Sequence, residues 1–240
     1  MFNRLRNLFS GSRKYFYEDP EAEPLTPEQQ FGISLGQVIG EQNDYFINSL
    51  WATNDIKAHK KSLTEWWGIS DKVSAHDILA SRSREGHRQR FNELVDVFLK
   101  YDGDTDKLDK NDPDYEVLVE YFDKVNSALD TEEGQEWFPN IYTDFQVKCN
   151  AWDVGRMVFV ARSCYTFGYI TEDEAWKYIN YVTDIAKQSF NGWRNYAKSY
   201  LLGRAFWGGN NYDDYGSFAD VVKMLVEDED SPWVIHGWLK

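Results

Sequence analysis

The stretch from Tyr142 to Phe167 constrains the fold more than any other. Val154, Met157, Val158, Phe159, Val160 and Ala161 follow one another almost without a break. If the segment is helical, apolar side chains cover nearly its whole circumference, and such a helix is buried. A chain carrying it must surround it, and the remaining sequence supplies helices. Arg82–Tyr101 sets Phe91, Leu94, Val95, Phe98 and Leu99 at a 3.6-residue period, and Tyr115–Leu129 puts Val117, Leu118, Tyr121, Phe122 and Val125 on one face. Gly168 ends the central helix. Thr171 and Glu174 stand at capping-box spacing and open a helix to about Lys187. Another spans Asn191–Trp207 and stops at Gly208-Gly209, and a short one covers Ser217–Val226. Near the start, Thr26-Pro27-Glu28 reads as N-cap, proline and first-turn acid of a helix reaching about Leu50. Its Gly32, Gly36 and Gly40 share one face, which suits close helix–helix approach. No strand pattern appears. The expectation is an all-α fold: a single globular domain over 25–240, of about eight helices around a buried helix at 144–167. A basic arm and an acidic, proline-rich linker over 1–24 precede it.

The chain carries a net charge of −14. A nucleic-acid binder needs a basic face to neutralise phosphates, so nucleic acid is not expected as a partner, whereas a basic protein is electrostatically suited. The exception to the acidity is residues 1–17, where Arg4, Arg6, Arg13 and Lys14 alternate with Phe2, Leu5, Leu8 and Phe9. This segment suits a weak membrane-surface contact. It lacks the apolar core of a signal peptide, and no run is long enough for a transmembrane segment. Cys149 and Cys164, on one helix, would stand about 22 Å apart. A disulfide needs Cα atoms within about 7 Å. No bridge within the chain is expected, which fits a reducing, cytoplasmic setting.

Three constellations carry candidate chemistry. Trp152, Asp153 and Arg156 lie within one helical turn, so Asp153 can pair with the Arg156 guanidinium while Trp152 lies beside it. Trp193, Tyr196, Tyr200, Arg204 and Trp207 follow at steps of 3, 4, 4 and 3 and form a stripe on a second helix. If the two helices are neighbours, Arg204 joins the Asp153–Arg156 pair. The group then reads either as a buried brace or as an arginine cluster facing an anionic group. The third constellation is Glu85-Gly86-His87-Arg88, with His87 as a secondary candidate. Asp102-Gly103-Asp104-Thr105-Asp106 resembles half a calcium loop, but Lys107 and Pro113 stand where that loop needs Gly and Glu. Four histidines without H-E-x-x-H or C-x-x-C spacing give no metal site, and no cofactor motif is present.

Trp152-Asp153-Val154-Gly155-Arg156, Gly168-Tyr169-Ile170-Thr171 with Glu174-Ala175-Trp176, and Leu202-Gly203-Arg204-Ala205-Phe206-Trp207 together resemble the bacterial DUF1266 family. Trp66-Trp67-Gly68-Ile69 and Gly86-His87-Arg88 are similar to its N-terminal half. The resemblance covers about residues 50–208 and implies a bacterial, cytoplasmic, helical protein without implying a mechanism. It draws attention to Trp152, Asp153, Arg156, Trp193, Tyr200 and Arg204. With no catalytic signature, the chain reads first as a non-enzymatic interaction module, an acidic partner of a basic protein such as an immunity or accessory factor. The alternative is an enzyme or small-ligand binder using an arginine-lined cleft on an anionic substrate.

Overall fold

The computed structural model describes residues 15–84, 86–210 and 215–239. The described residues are 70% helical and form a single helical domain with no strand. The helices are α1 (Pro27–Ser34), α2 (Gln37–Gln42), α3 (Ile56–Trp67), α4 (Lys72–Arg84), α5 (His87–Lys100), α6 (Tyr115–Leu129), α7 (Glu132–Trp137), α8 (Ile141–Asp144), α9 (Asn150–Thr166), α10 (Glu172–Ser189), α11 (Trp193–Gly208), α12 (Tyr215–Glu227) and α13 (Pro232–His236). Eight are long; the rest are short, α1 and α7 starting at the Thr26 and Thr131 N-caps.

Helix α9 is the centre. It packs against α2, α3, α4, α5, α10 and α11, and every residue on it except Asn150, Arg156 and Tyr165 is buried. It begins later than the apolar pattern suggests. Phe145 sits in the core against Phe98 and Phe138, inside a 3-10 turn over Phe145–Val147. Lys148 then takes a left-handed conformation with φ of 58°. The side chain of Asn92 accepts the Cys149 N–H at 2.8 Å and fixes the new start. Cys149 and Cys164, near opposite ends of α9, are buried free thiols.

Two other expected helices are also interrupted. The segment from Pro27 stops at Ser34 and restarts at Gln37, because the Leu35 carbonyl turns inward to accept the Tyr196 hydroxyl at 2.6 Å. A Cβ on Gly36 would lie 2.7 Å from Val158 of α9, and one on Gly32 would lie 2.9 Å from Ile179 of α10. Gly40 meets only its own neighbour Gln37, so the glycine face serves close approach at two of its three positions. The Arg82–Tyr101 pattern splits into α4 and α5 at Gly86, for a reason that belongs to the site.

Packing begins upstream of residue 25. Phe16 is buried, its N–H donates to Glu41 Oε2 at 3.3 Å, and the Tyr17 carbonyl accepts from Ile47 at 2.8 Å. The expected basic arm and its membrane contact fall mainly on residues 1–14, outside the described residues. Among the described residues no helix is long and apolar enough to cross a membrane.

Candidate functional site

The site is built around one carboxylate. Asp153 lies in the first turn of α9 and is only 5% exposed. A buried carboxylate must be neutralised by hydrogen bonds or charge, and the chain solves this across helices. Asp153 Oδ2 accepts the backbone N–H of Arg88 at 2.7 Å, and the Arg88 guanidinium stands 3.7 Å from the same oxygen. Asp153 therefore caps the N-terminus of α5 from α9, where a negative charge is favoured by the exposed N–H groups. Gly86 precedes that helix as its N-cap. A Cβ at Gly86 would fall 1.9 Å from Asp153 Oδ2. Only glycine leaves room for the carboxylate, and this splits the expected Arg82–Tyr101 helix.

The expected Asp153–Arg156 ion pair is replaced by this arrangement. Arg88, treated in the sequence as part of a separate constellation, takes the carboxylate. Arg156 is left on the adjoining face, with its guanidinium carbon over the indole of Trp67 at 4.6 Å and over that of Trp152 at 4.8 Å. Among the described residues no acceptor lies within hydrogen-bonding distance of it. Burial lowers the Arg156 pKa, and the nearby Asp153 charge works against that shift. Two indole faces thus hold the cation, and among the described residues nothing accepts from its five edge donors.

The second helix meets the first at two glycines. A Cβ on Gly203 would lie 2.3 Å from the Trp152 side chain, and one on Gly155 would lie 2.9 Å from the Tyr200 ring. Trp152 and Tyr200 consequently pack edge to face at 5.2 Å. The Trp152 Nε1 and the Tyr200 hydroxyl are both buried and have no hydrogen-bond partner among the described residues. Tyr200 is electrostatically between Arg156 and Arg204, and burial raises its pKa.

Arg204 does not join the Asp153–Arg156 group. It is fully buried, donates to the Gly209 carbonyl at 2.9 Å and lies against Trp207 and Phe218, so it braces the end of α11 against α12. Trp193 also lies elsewhere. It stacks on Trp233 at 4.6 Å and donates from Nε1 to the Gly237 carbonyl at 2.8 Å, anchoring the C-terminal tail. A stripe running nearly the whole length of α11 is too long to face one site, and its two ends meet different neighbours.

His87 does join the group. It is the first residue of α5, partly buried, and its ring stacks on Phe91 at 5.3 Å. Burial lowers its pKa, reinforced by the positive charges of Arg156 and Arg82 and opposed by Asp153. The grouping that emerges is Trp67, Arg82, His87, Arg88, Trp152, Asp153, Arg156 and Tyr200. Trp67 and Arg88 were visible only as parts of the W-W-G and G-H-R runs. Nothing in their spacing shows that both runs converge on α9.

Two surface depressions, of about 230 and 480 Å³, have different linings. Arg90, Lys100 and Asp112 border the first; Asp144, Gln188, Asn191 and Lys198 border the second. None of the candidate residues lines either. The carboxylates of Asp102 and Asp104 face Lys107, at 2.5 and 4.0 Å, so a lysine neutralises the acidic turn. No group of three or more potential metal ligands occurs among the described residues.

The family model described as protein of unknown function (DUF1266) matches residues 62–238. The chain belongs to the DUF1266 family. The match runs through every residue of the grouping and continues to the tail that Trp193 anchors. No curated protein and no solved structure matches this DUF1266 chain.

Proposed function

We propose that this DUF1266 protein is a non-enzymatic binding protein that recognises an anionic group through Arg156. The observation that carries the reading is the Arg156 guanidinium, clasped by two indoles and with no acceptor among the described residues. A half-buried arginine with unengaged donors suits a carboxylate, phosphate or sulfate oxygen better than solvent alone. Binding is favoured over catalysis because Asp153, the carboxylate beside it, is committed to the end of α5. The family resemblance supports a bacterial, cytoplasmic setting.

Sulfate, titrated at low ionic strength and followed by the indole N–H resonances of Trp67 and Trp152, tests this. Saturable shifts are expected in the wild type and none in Arg156→Gln. Equal shifts in both proteins, or none in either, count against the reading.

A second reading is supported by the net charge of −14 and by Trp66 and Val73, 58% and 70% exposed on either side of the α3–α4 corner that carries Trp67. Tryptophan and arginine are the residues that most often anchor protein interfaces. On this reading the chain is the acidic partner of a basic protein, an immunity or accessory factor. Purification of the untagged protein from its host at low salt should then bring down a basic protein; recovery of the chain alone speaks against it.

A further inference from the structure

The Arg156 grouping holds a second group able to change its charge. His87 is placed by the anchored start of α5 and by its stack on Phe91. The α5 N-terminus is pinned to α9 by the Arg88 N–H on Asp153. The imidazole is held flat against Phe91, one turn along α5, and Phe91 in turn is packed by Tyr121 of α6 and Phe206 of α11. Asp153 and Arg156 are three residues apart on α9, so the residue capping α5 and the residue clasped by tryptophans share one helix face. His87 therefore starts α5 at the end that Asp153 holds against α9, and Arg156 follows Asp153 by one turn of α9.

The charges around His87 come from three helices, while α6 and α11 face it with the aromatic Tyr121 and Phe206 against Phe91. Arg156 and Asp153 belong to α9, Arg82 to α4 and Arg88 to α5 itself. Asp153 is already engaged by Arg88. Glu85, next in sequence to Gly86, lies outside the described residues. Among the described residues, Arg156 and Arg82 form a positive spot on an acidic protein, and a protonated His87 would add a third positive charge. A singly charged carboxylate would leave much of that charge uncompensated, whereas a doubly charged oxyanion matches it.

We propose that the ligand of this site is a doubly charged oxyanion of the sulfate or phosphate-monoester type, held by Arg156 with His87 as a protonation-dependent second contact. This rests on the Arg156 reading above and adds a ligand class and a pH dependence to it. In the unliganded protein burial, then Arg156 and Arg82, lower the His87 pKa, opposed by Asp153. A bound dianion offsets those arginines and favours the imidazolium. Binding therefore takes up a proton and strengthens as pH falls through the range in which free His87 begins to protonate.

Sulfate is the suitable probe, because its own charge stays fixed across this range. NMR of the wild-type chain at constant ionic strength gives two readings at once: the His87 imidazole titration and the Trp67 and Trp152 indole shifts. Sulfate should raise the His87 midpoint, and its dissociation constant should fall on the order of tenfold between pH 8 and pH 5.5, the change that one pKa unit of coupling produces. His87→Gln should flatten that dependence, and acetate should bind more weakly than sulfate. Indole shifts with an unmoved His87 midpoint would overturn the coupling and leave the Arg156 reading standing. Acetate binding as tightly as sulfate would overturn the dianion assignment. Absence of any indole shift with either anion would overturn both proposals together.

Discussion

Arg156 and Arg162 stand on the same helix, six residues apart, and the protein uses them in opposite ways. Arg162 is 1% exposed, and one nitrogen donates to the Phe46 carbonyl at 2.6 Å and the Ser49 carbonyl at 2.7 Å. Its guanidinium also lies over the Tyr45 ring, and Tyr45 bonds Ser163 on the next residue of α9. Burial pushes the Arg162 pKa down to about 10, still charged at neutral pH. The result is a clamp that holds the loop between α2 and α3. Arg156 lies over two indole faces and has no hydrogen-bond acceptor among the described residues. What separates a brace from a presented cation is therefore the supply of acceptors: loop carbonyls close over Arg162, and Asp153, the acceptor that could have closed over Arg156, is drawn away to α5.

The strongest way to break this comparison is at the clamp. Replacing Arg162 with Met should remove about 3 kcal/mol or more of folding stability, because two loop carbonyls lose their donor in the interior. Urea denaturation followed by tryptophan fluorescence measures it. A loss under about 1 kcal/mol would mean that Arg162 is not a clamp.

Next comes the glycine that admits Asp153. Gly86→Ala places a methyl where the carboxylate sits and should cost about 1–3 kcal/mol through forced displacement. The Gly86→Ala/Asp153→Ala double variant removes the clash with its cause, so its loss should be smaller than the sum of the two single losses. Additive losses would show that Gly86 is required for something other than the Asp153 carboxylate.

These two positions also show how much the sequence disclosed. The all-round apolar character of α9 was legible, because burial on every side leaves no polar face to mask it. The packing of α9 on α11 was raised only as a condition: Gly155 and Gly203, which make the close approach, stand in the two motifs, but nothing in the sequence shows what a glycine there lets in. Arg162 was missed because an arginine inside an apolar run gives no sign of which distant loop will supply its carbonyls. The partner of Asp153 was assigned to Arg156 because that residue is one turn away. The true partner lies 65 residues upstream, and only the tertiary packing of α5 on α9 brings it near. Arg204 and Trp193 share a stripe with Tyr200, but periodicity fixes which residues share a helix face and not which neighbour each end of that face will meet.

At Arg156 the expected effect on folding is small. Arg156→Gln removes no hydrogen bond among the described residues and only the cation–ring contacts, so stability should change by about 1 kcal/mol or less. Sulfate binding should nevertheless be lost. Set beside Arg162→Met, this variant sharpens the contrast: one arginine matters to the fold and the other to the ligand. A large loss of stability in Arg156→Gln, comparable to that of Arg162→Met, would erase the distinction and make both residues braces.

The smallest effect concerns His87 and has a definite sign. Its pKa is lowered in the folded chain, first by burial and then by Arg156 and Arg82. Below the unfolded value of about 6.5 the unfolded chain therefore binds the proton more readily than the folded one. The resulting contribution favours folding at neutral pH and is lost progressively as pH falls through that window. Wild-type urea midpoints should thus drop between pH 7.5 and pH 5.5 by more than those of His87→Gln, which lacks the titrating group. Sulfate should narrow the gap, because it stabilises the protonated imidazole in the folded state and so works against that linkage. A gap between wild type and His87→Gln that is the same with and without sulfate would place His87 outside the Arg156 site, leaving its lowered pKa a consequence of burial alone.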